Sequence, residues 1–309
     1  MSEEKRKQAK LDSLPRLTAS WMSRAVLLVV APWIAAQDLL EFHSWLQTMP
    51  GVAWIALGVC VLLAALVWRL RAGTPGAAAL GAAITGCLML GTLQYPYRNW
   101  LRSGLTPLLV TLILTLAATR IARNRRNEQD SNEARRGRDA AQVAANLGAA
   151  ALAVTLIPFA PRVVAHNPYF AALIAYAALA EAAADTVSSE IGQAFGGVPR
   201  LVTTWQRVPP GTDGAVTVKG SLAGLMAAAA VAVAGIWSLT GAVESQSLGV
   251  ALILLGAMVG WAADSLLGAV AERCGWLNND AVNFLSTVIA SATTLQMARI
   301  VSTVLRTHG

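Results

Sequence analysis

Residues 245–263 read SQSLGVALILLGAMVGWAA, nineteen residues without a charge, and Asp264 follows directly. A helix of about 20 mostly apolar residues is long enough to cross the hydrocarbon core of a bilayer. Before and after this stretch, the chain contains further apolar segments of comparable length. The predicted spans lie near 22–40, 52–68, 74–93, 104–120, 140–160, 168–186, 218–240, 246–265 and 280–303.

The composition of the 309-residue chain agrees with this pattern. Apolar residues make up 55% and charged residues only 13%, and the mean hydropathy is +0.53. A soluble domain carries about 25% charged residues, so the composition excludes an ordinary soluble globular protein and also a disordered chain. We therefore predict an all-α, polytopic membrane protein with about nine transmembrane helices.

Basic residues are concentrated in the N-terminal tail and in residues 120–139, and the chain carries a net charge of +7. On a soluble protein such runs would suggest nucleic acid, but between apolar spans they indicate cytoplasmic loops, so we expect no nucleic-acid partner. With the N-terminus inside, the inner loops 69–73, 120–139, 187–217 and 266–279 hold the basic excess. The positive-inside rule thus predicts a cytoplasmic N-terminus in a bacterial-type cytoplasmic membrane.

The chain divides into two predicted regions. Residues 1–139 hold the tail and about four framing spans, and no small-residue cleavage site follows the first span, so we expect that span to be retained. Residues 140–309 hold nearly all the unusual polar positions and form the predicted catalytic region. GxxxG pairs at Gly220/Gly224 and Gly256/Gly260 favour close helix packing, and a homodimer is left open.

Four polar motifs in the second region fall at predicted span ends. ADTVSSEIG (184–192) closes the sixth span, GTDG (211–214) precedes the seventh, ADS (263–265) closes the eighth, and NNDAVN (278–283) opens the ninth. Because these spans alternate in direction, all four motifs lie on the cytoplasmic side. We therefore expect Asp185, Asp213, Asp264 and Asp280 to meet at one depth.

Four carboxylates at one depth would repel one another, and a divalent cation would remove that repulsion. Without His or Cys nearby, oxygen ligands favour Mg²⁺ or Mn²⁺ over zinc, and the scattered Cys60, Cys87 and Cys274 support neither a zinc site nor a disulfide framework. The 211–214 turn, at the start of a helix, offers backbone N–H groups that suit a phosphate. The motifs thus predict a metal- and phosphate-binding site beside lipid.

Each motif alone also has an ordinary structural explanation. Asp185 can end a helix at the membrane surface, and Lys219 can snorkel to the interface. Asn279 and Asp280 can cap the ninth span, and the 211–214 stretch can be a generic turn. The placement of all four motifs on one side of the membrane favours a shared functional site over these separate explanations.

Short segments repeat within the second region. AADT (183–186) resembles AADS (262–265), and TDGAV (212–216) resembles NDAV (279–282) less closely. These matches suggest an internal duplication of a helix pair, with chance similarity in an Ala-rich chain as the alternative.

The motifs resemble the integral membrane family called domain of unknown function 92, which includes transmembrane protein 19 and phytyl-phosphate kinases. The resemblance covers about 140–309 well and 1–139 mainly by hydropathy. It rests on ADTVSSEIG (184–192), PRLVTTWQRVPPGTDGAVTVKG (199–220), DSLLGA (264–269) and NNDAVNF (278–284), with a weaker match at GRDAAQVAANLG (137–148).

The resemblance implies CTP-dependent phosphorylation of a prenyl monophosphate, such as phytyl phosphate, to the diphosphate. On this hypothesis Asp185 and Asp264 hold Mg²⁺ with help from Glu190 and Asp280, and Lys219 is catalytic. The residues expected to bind the nucleotide and the lipid phosphate are Ser188, Arg200, Arg207, Gly211, Thr212, Asp213, Gly214, Ser265, Asn279 and Asn283.

Two other functions use similar residues. A lipid-phosphate transporter or flippase would also carry charges within the membrane, although transporter sites lie near the midplane. A cytidylyltransferase that forms a CDP-linked lipid would need comparable metal chemistry.

Overall fold

The computed structural model describes residues 17–93, 99–126, 137–156, 168–240 and 247–308. In these residues the chain is a bundle of long helices, and the described connection between residues 195 and 218 contains two short strands. The helices are α1 Leu17–Thr48, α2 Pro50–Arg69, α3 Pro75–Gly91, α4 Leu105–Arg126, α5 Ala140–Leu156, α6 Pro168–Phe195, α7 Val218–Thr240, α8 Ser247–Leu267 and α9 Asn279–His308.

Seven of the described helices are long and apolar enough to cross a membrane, and α3 and α5 are shorter apolar helices of 17 residues. At 1.5 Å per residue, 17 residues extend about 25 Å. Each predicted span corresponds to one of these helices, so the predicted polytopic helical membrane protein is confirmed. Parts of the charge pattern that predicted its orientation lie outside the described residues, namely the tail at 5–16, the arginines at 135–136 and the loops at 161–167 and 241–245.

Helices α1 and α6 run eight or nine residues past their predicted ends, and α4 and α9 run five or six residues past theirs. Helix α1 continues through most of the predicted outer loop 41–51 and ends at Thr48, where Pro50 begins α2 because proline is tolerated in the first helical turn. Helix α6 continues past residue 186 to Phe195. Its hydroxyls are satisfied within the helix, since Ser188 Oγ donates to the Asp185 carbonyl and Ser189 Oγ to the Thr186 carbonyl. The helix therefore does not end at Asp185, and the 184–192 motif lies in its last turns.

The predicted loop at 187–217 also contains a small antiparallel hairpin. Strands β1 Arg200–Leu201 and β2 Ala215–Val216 pair with Arg200 opposite Val216. The residues between the strands include the 211–214 turn, so the hairpin holds that turn close to the start of α7.

Helix α6 is the centre of the bundle. It contacts α4, α5, α7, α8 and α9, and its residues from Ala171 to Ala184 are buried. A methyl group added at Gly224 of α7 would lie 2.8 Å from the Ala184 carbonyl oxygen, and one at Gly260 of α8 would lie 2.6 Å from the Ser286 carbonyl oxygen. The glycines thus allow α7 to pack against α6 and α8 against α9, which confirms the close packing predicted from the GxxxG pairs.

Candidate active site

A polar cavity of about 210 Å³ opens among α6, the 199–217 segment, α8 and the start of α9. All four sequence motifs contribute to its wall, so residues separated by nearly a hundred positions share one cavity. The predicted site residues that line it are Asp185, Ser188, Gly211, Thr212, Asp213, Gly214, Asp264, Ser265, Asn279 and Asn283. Their roles in binding or catalysis stay predictions.

The acidic centre of the cavity is formed by side chains from two helices. Asp185 on α6 and Asp264 on α8 both line the cavity, and their carboxyl groups are close enough to interact electrostatically. Glu181, one turn before Asp185, is 1% exposed and lies close enough to both aspartates to interact with them electrostatically. Three acidic side chains therefore share a small buried volume.

Two oxygen atoms of this acidic centre lack partners. Within the described residues, Glu181 Oε1 and Asp264 Oδ2 are buried and accept no hydrogen bond. A buried polar atom without a partner is costly, and a bound cation would remove the cost. The Asp185–Asp264 pair matches the usual protein contribution to an Mg²⁺ site, which is one or two carboxylates completed by substrate phosphates and water. No larger group of His, Cys, Asp or Glu in the described part of the chain is arranged to hold a metal by itself.

The 211–214 turn forms the opposite wall of the cavity. Gly214 has φ +70°, and a Cβ there would collide with the backbone nitrogen of Ala269. Ala269 belongs to a π-helical turn, Gly268–Glu272, that continues α8 below Asp264. Only glycine therefore lets the turn lie against this π-helical turn, which places Asp213 beside Glu272 and Arg273. Partial burial raises the pKa of Asp213, and the Arg273 guanidinium opposes that shift.

Polar side chains around the cavity hold one another in place. Trp261 Nε1 donates to Ser188 Oγ at 3.0 Å. Asn283 Nδ2 donates to Asn146 Oδ1 at 3.4 Å, and Asn146 Nδ2 donates to the Gln142 carbonyl at 2.8 Å. Because Asn283 donates to Asn146 of α5, the orientation of its amide at the cavity wall is defined.

The acids Glu190 and Asp280 do not line the cavity. Glu190 Oε2 instead accepts a bond from Arg126 at 3.0 Å, in an ion pair between α6 and α4. Asp280 Oδ2 accepts from Ser23 Oγ at 2.5 Å, which ties the start of α9 to α1. Asn278 caps α9, because its Oδ1 accepts from the Ala281 backbone N–H. Asn278, rather than Asn279 or Asp280, is thus the residue that makes the cap contact.

The three predicted cations also lie away from the cavity wall. Lys219 is exposed at the start of α7, and Arg200 and Arg207 are exposed in the hairpin segment. Arg200 donates to the Trp205 carbonyl at 2.9 Å, so it braces the hairpin. All three cations of the 199–220 motif are thus exposed and do not line the cavity.

Sequence reasoning missed Glu181 and did not assign Arg138 to the site. Glu181 lies four residues before Asp185 in an otherwise apolar segment, and this spacing places both acids on one helix face. Arg138 is the second residue of the weaker motif at 137–148 and is partly buried. Burial lowers the pKa of Arg138, and the nearby carboxylates of Glu190 and Asp185 oppose that shift. Arg138 is therefore a cation close enough to Glu190 and Asp185 to interact with both electrostatically.

The fold and the cavity together define a multi-pass integral membrane protein whose polar motifs converge on a single acidic site. The family described as Integral membrane protein DUF92 matches residues 58–291, and the chain belongs to this family. The predicted resemblance is confirmed.

Relatives of the chain include proteins from archaea, cyanobacteria and plants. An uncharacterized membrane protein of Methanocaldococcus jannaschii is 41% identical over 139 residues, which are 45% of this chain and 56% of that protein. An uncharacterized membrane protein of Synechocystis is 32% identical over 66% of this chain and 76% of its own length. The chloroplastic protein VTE6 of Arabidopsis thaliana is 28% identical over 71% of this chain and 65% of its own length. No solved structure matches the chain.

Proposed function

We propose that this protein is a membrane-embedded prenyl-phosphate kinase. It transfers the γ-phosphoryl group of a nucleoside triphosphate, with CTP as the predicted donor, to a prenyl monophosphate such as phytyl phosphate. The observation that carries the proposal is the meeting of Asp185 and Asp264 with the 211–214 turn in one cavity of an apolar helix bundle. Membership of a family that includes phytyl-phosphate kinases supports it.

The reaction needs positioning and charge neutralisation rather than a strong base. An oxygen of the lipid monophosphate already carries negative charge and attacks the γ-phosphorus, while the bond between that phosphorus and the β–γ bridging oxygen breaks. The products are the lipid diphosphate and the nucleoside diphosphate. Phosphoryl transfer of this kind depends mainly on alignment and on stabilisation of the phosphate charge.

The cavity residues supply these two requirements in different ways. Asp185 and Asp264 would hold Mg²⁺, or Mn²⁺, which neutralises phosphate charge when it is bound. The backbone of the 211–214 turn and the hydroxyls of Ser188 and Ser265 bind and orient phosphate oxygens. Asn279 and Asn283, at the start of α9, bind the second anionic group.

The distribution of charge supports a site that faces the cytoplasm. Arg126 and Arg138 lie next to α6 near the acidic centre, and Arg200, Arg207 and Arg273 belong to the segments that surround the cavity. Basic residues gather on the cytoplasmic side of membrane proteins. The cavity therefore opens toward the cytoplasm in the proposed orientation, in a bacterial-type cytoplasmic membrane.

Purified protein in nanodiscs, supplied with Mg²⁺, phytyl phosphate and CTP labelled at the γ-phosphate, tests the proposal. The kinase reaction moves the label into the lipid. Release of labelled pyrophosphate would instead indicate a cytidylyltransferase. If neither product forms although both ligands bind, the kinase proposal is wrong and transport of a lipid phosphate becomes the function to examine.

A further inference from the structure

Two apolar cavities lie on either side of the contact between α2 and α3, away from the acidic site. The larger, of about 730 Å³, lies between α1, α2 and α3, and the smaller, of about 90 Å³, lies between α2, α3, α4 and α5. Both are bordered by the same three alanines, Ala64, Ala78 and Ala82. The two cavities therefore adjoin at these three alanines.

The larger cavity has the length and chemistry of a site for a lipid chain. Its wall runs along α3 from Pro75 to Gly86, twelve residues that span about 16 Å of helix, and on to Leu90. The lining is apolar except for Asp38 and the thiol of Cys60. Its outer edge is formed by Leu57, Val61 and Trp68, whose side chains are exposed on the surface of the bundle. A hydrocarbon chain can therefore enter sideways from the bilayer.

Arg138 and Asn146 are the main polar residues of the smaller cavity, and both connect it to the acidic site. The Arg138 backbone is held by the 70–74 loop, since its N–H donates to the Ala72 carbonyl and its carbonyl accepts from the Thr74 N–H. Gly137, with φ +68°, permits this contact, because a Cβ there would lie 2.6 Å from the Ala72 carbonyl carbon.

The charge of Arg138 is not neutralised by an ion pair with any described carboxylate, although Asp185 and Glu190 are close enough to interact with it. Asn146 is bonded to Asn283, which lines the acidic cavity. A guanidinium group thus lies between an apolar cavity and the carboxylates proposed to hold the metal. This arrangement is complementary to a molecule with a phosphate at one end and a hydrocarbon chain at the other.

We propose that Arg138 binds the phosphate of the lipid substrate while its isoprenoid chain fills the apolar cavities along α2 and α3. This inference rests on the proposed kinase function. It assigns the acceptor to the α2–α3 side of the acidic centre and leaves the 211–214 turn for the nucleotide. It also gives the N-terminal helices a role in substrate recognition beyond framing the site.

Steady-state kinetics of Arg138→Gln test the phosphate contact. We expect KM for phytyl phosphate to rise about tenfold or more, while KM for the nucleotide stays within about twofold. Arg138→Lys, which keeps the charge, should recover part of the loss. The matched control is Arg125→Gln, because Arg125 is an exposed arginine of the same basic segment. An unchanged lipid KM in Arg138→Gln, or an equal rise in both KM values, would overturn the assignment.

A prenyl monophosphate with a photoreactive group at the end of its chain tests the tail site directly, without nucleotide. In the unmodified protein we expect crosslinked peptides from α2 and α3, and competition by phytyl phosphate but not by phytol. Ala82→Phe and Ala64→Phe should each reduce this labelling, whereas Ala251→Phe, at an exposed position of α8, should not. Crosslinks confined to α7–α9, or equal competition by phytol, would contradict the proposal.

The two proposals fail in different ways. Labelling of α2 and α3 without any transfer of phosphate would support the lipid site and contradict the kinase function. Transfer of phosphate with a normal KM for the lipid in both Arg138→Gln and Ala82→Phe would support the kinase function and contradict the lipid site.

Discussion

Asp185 on α6 and Asp264 on α8 bring their carboxyl groups together in the interior of the bundle, although 79 positions separate them in the chain. Glu181 adds a third acid one turn away, and Oδ2 of Asp264 has no hydrogen-bond partner among the described residues. Two neighbouring carboxylates repel each other unless a proton or a cation lies between them. Substitutions of Asp185 and Asp264 therefore test both the proposed metal binding and the proposed phosphoryl transfer.

Removing either charge of this pair should stop the reaction. We expect Asp185→Asn and Asp264→Asn each to lower the rate of phosphoryl transfer by about a hundredfold or more, because the phosphates lose their charge neutralisation. Initial rates with γ-labelled CTP measure this, and size-exclusion elution reports folding. Glu41→Gln, a change of the same kind on α1 outside the cavity, should keep normal rates. Full activity in both aspartate variants would exclude the assignment.

The same pair should bind a divalent cation before any substrate is present. Mn²⁺ added to the protein without nucleotide should give a saturable electron paramagnetic resonance signal, and Asp264→Asn should weaken its affinity about tenfold. Mg²⁺ should displace the bound Mn²⁺, since both favour oxygen ligands. If the Asp264→Asn variant binds Mn²⁺ as tightly as the unmodified protein, the ion is held elsewhere.

Glu190 should be dispensable for catalysis although the sequence predicted it as a metal ligand. Its carboxylate is paired with Arg126 outside the cavity, so Glu190→Gln removes a partly exposed ion pair worth at most about 1 kcal/mol. We expect a turnover within about threefold of normal and a small fall in thermal stability. A loss as large as that of Asp185→Asn would show that Glu190 acts at the metal and that its contact with Arg126 breaks during the reaction.

The position of the phosphate turn should depend on the absence of a side chain at Gly214. Gly214→Ala forces a methyl group against Ala269 and places alanine at φ +70°, so the turn must move away from the π-helical turn. We expect KM for the nucleotide to rise about tenfold. The control is Gly197→Ala, which has a similar φ of +74° but open space around the added methyl group. Equal effects in the two variants would mean that backbone strain alone causes the loss.

Several features of the site were predictable because they depend on local patterns. The four motifs are polar stretches at the ends of apolar segments, and alternation of the spans places such ends on one side of the membrane. Asp264 was the clearest case, since it follows nineteen uncharged residues. The motifs do meet in one cavity, as that alternation requires.

The roles of some residues were not predicted correctly, because those roles depend on the direction of each side chain and on its partners from distant helices. Glu190 is only five residues from Asp185, about one and a half turns, so it points toward α4 and Arg126 instead of the cavity. Lys219 belongs to the same motif as Asp213, yet it is exposed in the first turn of α7 and does not line the cavity. Glu181 lies within an apolar run, away from the polar motifs at the span ends.

The sequence by itself determined the helical membrane architecture, the family and the residue types that gather at one side, because span length, hydropathy and motif order are properties of the chain alone. Only the tertiary structure decided which acids face each other, how Gly214 lies on the π-helical turn, and that Arg138 stands between the acidic site and an apolar cavity. Those relationships depend on the rotation of each helix about its axis and on the close approach of α6, α7 and α8, which are set by packing between segments far apart in the chain.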